Sequence, residues 1–104
     1  MISIHYELNS LSFSNLMAVY DESNRDNAML MYPDMDRNAA IIQVEQNFYA
    51  FLRDVFFTTE DARYAILEEG GHYRSAVRIE PYEDGMLLTG LETAPEYRGM
   101  GYGK

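Results

Sequence analysis

The chain has 104 residues, enough for one domain with a modest core. Hydrophobic residues make up 47% of it, with nine Tyr and five Phe, which suits a folded rather than a disordered protein. Seventeen acidic against eight basic residues give a net charge of −9, a field that repels nucleic acid, and the lack of cysteine excludes disulfides and thiolate chemistry. No run approaches the roughly 18 apolar residues of a membrane span. The opening MISIHYELNS lacks the basic-then-apolar pattern of a secretory signal, so the cytoplasm is the expected location. An acidic surface serves solubility and equally suits a cationic partner such as an amine.

In chain order, Ile2, Ile4, Tyr6 and Leu8 alternate with Ser3, His5 and Glu7, which predicts a half-buried strand over 2–8. Asn9, Ser10 and Ser12 are competent N-caps. Phe13, Leu16, Met17 and Tyr20 then recur at helical spacing, predicting a helix over about 12–22. The polar stretch DESNRDNAMLMYPD reads as a connection, with an apolar patch over 29–32. It holds Asp21, Glu22, Asp26 and Asp34 and runs up to Asp36. From 36 to 56 a second helix is expected, with Ile41, Val44, Phe48, Phe51 or Leu52, and Val55 on one face. Three strands follow. RYAILEE is short and apolar, and Gly70–Gly71 supplies a two-residue hairpin turn. In HYRSAVRIE, Tyr73, Ser75, Val77 and Ile79 alternate with His72, Arg74, Ala76, Arg78 and Glu80. PYEDG makes the next turn, and MLLTGLET is apolar on both faces, as an inner strand covered from two sides should be. The expected class is α+β: strand, two helices, antiparallel three-strand meander. His5 and His72 sit on strands with no third ligand nearby, so no metal site is expected.

The last residues, ETAPEYRGMGYGK, place Gly99, Gly101 and Gly103 at every second position between Arg98 and Lys104. Glycines after a strand allow several backbone N–H groups to converge on one anion. The spacing does not fit G-x-x-x-x-G-K-[ST], because Gly99 and Gly101 are too close to Lys104 and no Ser or Thr follows. Nor does it fit G-x-G-x-x-G.

Arg98-Gly99-Met100-Gly101-Tyr102-Gly103, preceded by Leu91, Thr93, Pro95 and Tyr97, resembles the coenzyme A-binding motif of the GNAT superfamily of N-acyltransferases, R/Q-x-x-G-x-G/A. The order of strand, helices and meander is similar to that family's. The resemblance implies transfer of an acetyl group from acetyl-CoA to an amine on a small molecule or peptide. It also implies cofactor contacts from Leu91, Thr93, Arg98, Gly99, Met100, Gly101, Tyr102, Gly103 and Lys104: the glycine-segment amides would meet the pyrophosphate, and main-chain groups of Leu91 and Thr93 the pantetheine arm. Glu92 reads either as the general base or as a solvated strand-end carboxylate. The sequence departs from several family members, which place an acid earlier on this strand, where Leu87 and Thr89 stand here.

By the same resemblance the chain, 1–104, is a single partial domain, the first half of the family's fold, ending as the pyrophosphate loop begins. Three expectations follow. The strand over 86–93 has an unpaired edge and one sheet face lacks its covering helix. The protein forms a homodimer or swapped oligomer through that edge. Its grip on acetyl-CoA is weak. A non-catalytic scaffold that keeps this fold for association is the alternative to an enzyme.

Overall fold

A computed structural model describes residues 1–95 of the protein. The class is α+β, as expected. β1 (Ile2–His5) leads through a 3-10 turn (Leu8–Ser10) to α1 (Phe13–Val19), α2 (Asp21–Met31) and α3 (Arg37–Phe51). A π-helical turn (Leu52–Phe56) extends α3, and β2 (Arg63–Glu69), β3 (His72–Tyr82) and β4 (Gly85–Thr93) follow. The strands form one antiparallel sheet in the order β1-β2-β3-β4.

Local chemistry sets several of these boundaries. Ser12 caps α1 by accepting a hydrogen bond from the Asn15 N–H, and Asp36 caps α3 through the Ala39 N–H. Gly70 and Gly71 take φ of 61° and 80°, the left-handed pair that a tight hairpin turn requires. Along α3 and its π turn, Val55, expected on the inner face, is 55% exposed, whereas Phe48, Leu52 and Phe56 recur every four residues and point inward. With Leu16, Met17 and Val19 of α1 they cover Tyr64, Ile66, Tyr73 and Ala76 on one face of the sheet. A second, smaller cluster joins α2 to α3 through Ala28, Ala40 and Val44.

The structure corrects the sequence reading at several further places. The stretch from Asp21 to Met31 is a helix, not a connection; its first-turn carboxylates Asp21 and Glu22 favour the start of α2, and Asp21 pairs with Arg25 one turn on at 2.9 Å. The first strand stops at His5, and its isoleucines are the outer face. Ile2 and Ile4 are 62% and 47% exposed while Ser3 and His5 turn toward the helices, in register with Ile66 and Tyr64. The third correction is a bulge: Leu67 opposes Ser75 but Glu68 opposes Tyr73, so Arg74 is an extra residue on β3. The extra residue inverts the alternation, putting Tyr73, Ala76 and Arg78 on the helix-covered face and Ser75, Val77 and Ile79 on the other. β3 also runs through Pro81 to Tyr82, into the segment expected to turn. Finally, β4 is no inner strand among the described residues. It pairs only with β3, and Met86, Leu88 and Leu91 are 44%, 61% and 51% exposed.

Ile2, Ile4, Leu67, Val77, Ile79 and Leu88 therefore share a sheet face that none of the described helices covers.

Candidate functional site

β4 is interrupted where its sequence reads Thr89-Gly90-Leu91. Arg78 of β3 opposes Thr89, and Ala76 opposes Glu92, so two residues of β4, Gly90 and Leu91, face Val77 alone. Gly90 sits at φ 64°, a conformation that disfavours any side chain. The bulge turns the Gly90 carbonyl toward the helices, where the Tyr20 hydroxyl donates to it at 2.5 Å.

Behind that contact lies a chain of hydrogen bonds whose direction is determined. Tyr20 and Tyr64 hydroxyls are 2.7 Å apart, and Nη1 of Arg78 donates to the Tyr64 oxygen at 3.1 Å. A guanidinium only donates and a carbonyl only accepts. Arg78 therefore donates to Tyr64, Tyr64 to Tyr20, and Tyr20 to Gly90. Both phenolic protons are committed, so neither oxygen is available as a base. The guanidinium also lies over the rings of Phe48, Phe51 and Tyr64, 5.6, 5.3 and 5.9 Å from their centroids.

Burial pushes the Tyr20 phenol far above the ordinary tyrosine range, and Tyr64 and Glu92 raise it further. Burial raises Tyr64 as well, opposed by the Arg78 charge. The fold thus holds both phenols neutral. Their contribution to stability is complete below the unfolded tyrosine value of about 10 and is lost as pH rises from there toward the folded values. We expect stability to fall above about pH 10 by roughly 1.4 kcal/mol per pH unit for each phenol kept protonated. Urea unfolding at about pH 9 and about pH 11 measures this, and Tyr20→Phe should flatten the slope.

Of the residues expected to form a site, three lie in the described region. Leu91 is exposed, Glu92 half-buried and Thr93 buried, with its hydroxyl 3.1 Å from that of Ser75. The Ala94 N–H donates to the Arg74 carbonyl, so Ala94 and, two residues earlier, Glu92 direct their main-chain groups at β3. Thr93, between them, consequently directs its own to the outer edge of β4, which pairs with no strand of the described residues, whereas Leu91 lies in the bulge, where this alternation is broken. Glu92 opposes Ala76 on the helix-covered face, the face that carries Arg78, and its charge reaches Tyr20. Arg98, Gly99, Met100, Gly101, Tyr102, Gly103 and Lys104 lie outside the described residues.

The acidic residues of the 21–36 stretch are spread from α2 to the start of α3. Asp21 is paired with Arg25, and Asp36 caps α3. What opens between α2 and α3 is a shallow apolar cleft lined by Met29, Tyr32 and Met35, with Arg37 in its wall. His5 is held by the hydroxyls of Ser3 and Ser10, each at 2.9 Å. Among the described residues no three His, Asp or Glu side chains converge as a metal site would require, and no helix is long and apolar enough to cross a membrane.

The sequence reading missed Tyr20, Tyr64, Arg78 and Gly90. One local signal was present: a lone glycine inside a strand pattern marks a bulge or a close approach. The other three are joined only by the fold. Comparison with protein-family models, with curated proteins and with solved structures found no match.

Proposed function

We propose that the chain carries the acyl-CoA side of a GNAT-type N-acetyltransferase acting in the cytoplasm. The observation that supports this most is the outer edge of β4. Main-chain groups of Thr93 face away from β3 there, next to the Gly90–Leu91 bulge and to Glu92, and the R-G-M-G-Y-G segment begins five residues on in sequence. An extended amide-bearing arm such as pantetheine can lie along such an edge as an added strand does. Amides of the glycine segment suit a diphosphate.

In the reaction, the lone pair of a neutral amine attacks the thioester carbonyl carbon. The carbon–sulfur bond breaks, the sulfur leaves as the CoA thiol with a proton, and the nitrogen loses one proton in becoming an amide. Glu92 is the candidate acceptor of that proton, directly or through a water. The two tyrosines are unsuited to the role because their protons are committed.

The test is an amide-resolved NMR titration of the protein with acetyl-CoA. Saturable shifts centred on Leu91 and Thr93 are expected, with weak affinity, near the millimolar range, about 4 kcal/mol of binding. Pantetheine alone, lacking the diphosphate, should bind more weakly still. Silence of the β4 amides at saturating ligand would discard the reading.

A second reading, association without catalysis, is favoured by the uncovered face bearing Ile2, Ile4 and Leu88 together with the open β4 edge. Sedimentation at micromolar concentration should then show a homodimer or swapped oligomer, and a monodisperse monomer would sink that reading.

A further inference from the structure

Arg78 is held in an unusual setting. Its guanidinium is packed between Phe48 and Phe51 of α3 and Tyr64 of β2, and a β-carbon placed on Gly90 would come within 2.7 Å of three of its atoms. Among the described residues, Tyr64 accepts from one of its five N–H donors. The ion pairs of the described residues join Arg25 to Asp21, Arg53 to Asp54 and Arg74 to Glu69, leaving Arg78 without a carboxylate among them. Rings beside a cation strip water from it and return only part of the lost hydration. A guanidinium in such a seat is placed to take an anion, and its planar fork matches a carboxylate with two parallel hydrogen bonds.

The surroundings narrow the class. Arg78 is half-buried rather than sealed, and Phe51 at its flank is 37% exposed. Thr89, directly across from Arg78 on the same sheet face and half-buried, offers a hydroxyl. Glu92 lies on that face too, opposite Ala76, two residues before Arg78 in β3. A positive and a negative side chain thus project beside the Gly90 bulge, one strand apart.

We propose that Arg78, with Thr89 beside it, binds a carboxylate, and that the amine accepting the acyl group is amino-acid-like, with its own carboxylate a few bonds from its nitrogen. The carboxylate sits on Arg78 and the nitrogen lies toward Glu92. The identity of this ligand as an acyl acceptor rests on the acetyltransferase reading; the carboxylate seat itself rests on the contacts of Arg78 alone.

The test follows the Arg78 Nε–Hε resonance of the nitrogen-15-labelled protein, assigned through its own side-chain carbons. It is titrated with sodium acetate, glycine, methylammonium chloride and, as ionic-strength control, sodium chloride. Acetate and glycine should shift it saturably, about tenfold more tightly than chloride because two charge-assisted hydrogen bonds replace one contact, and methylammonium should not. Arg78→Gln should abolish acetate binding; if that variant does not fold, the wild-type titration decides alone. An acetate response no different from chloride, or saturable shifts that bypass Arg78, overturns the proposal. Acetyl-CoA is titrated separately against the Leu91 and Thr93 amides. Acetate binding with those amides silent keeps the seat and discards acetyl transfer; the reverse keeps acetyl transfer and discards the seat.

Discussion

Tyr20→Phe is expected to destabilise the fold by about 3 kcal/mol, although it removes a single oxygen. Tyr20 is 6% exposed and Tyr64 fully buried, so water does not readily replace what is lost. The substitution strands two groups at once: the Gly90 carbonyl loses its donor, and the Tyr64 hydroxyl loses its acceptor. A buried polar group left unpaired costs about 1–3 kcal/mol, and the two costs fall on the same side. The midpoint of urea unfolding should drop with its slope unchanged. The double variant Tyr20→Phe/Tyr64→Phe should cost less than the two single losses added together, because the second change removes a hydroxyl the first had already stranded. A loss below about 0.5 kcal/mol would mean that the hydrogen-bond chain does not hold the bulge.

Phe56→Ala should cost still more, about 4 kcal/mol. The ring is 2% exposed and meets Phe51, Phe57 and Tyr64, with centroids 6.4, 5.0 and 5.8 Å away. It enters the core at the end of the π turn, whose Phe57 N–H reaches back five residues to the Leu52 carbonyl at 3.0 Å. The wider turn holds Leu52 and Phe56 in the core together, so the void left by alanine lies between α1, the π turn and β2, where collapse is limited. For a domain of this size, with total stability of about 5–15 kcal/mol, the loss is enough to populate unfolded chain. Val55→Ala, one residue away on the exposed side at 55%, should stay within about 0.5 kcal/mol in the same unfolding measurement.

Around the candidate site, legibility was uneven. Glu92, Leu91 and Thr93 were reached from a motif, and the hydrogen bond from Ala94 to Arg74 then gives the direction of the Glu92 and Thr93 main chains. Arg78 and Tyr64 looked like ordinary strand residues, and Tyr20 like one more helix-face aromatic. Their partnership spans 14 residues in one step and 44 in the next, and Tyr20 reaches 70 residues forward to Gly90. No local pattern carries such separations.

What the sequence determined by itself was whatever depends on neighbours along the chain. The Gly70–Gly71 turn, the Ser12 cap, the inward Val44 and Phe48 of α3 and the extent of β2 all follow from backbone preference and short-range periodicity. Tertiary structure alone decided which side of each strand is covered. Alternation divides a strand into two faces without saying which one meets the helices, and one extra residue at Arg74 exchanges them. Ile2 and Ile4 lie outside while Arg78 lies under α3, because pairing register, not hydrophobicity, assigned their faces.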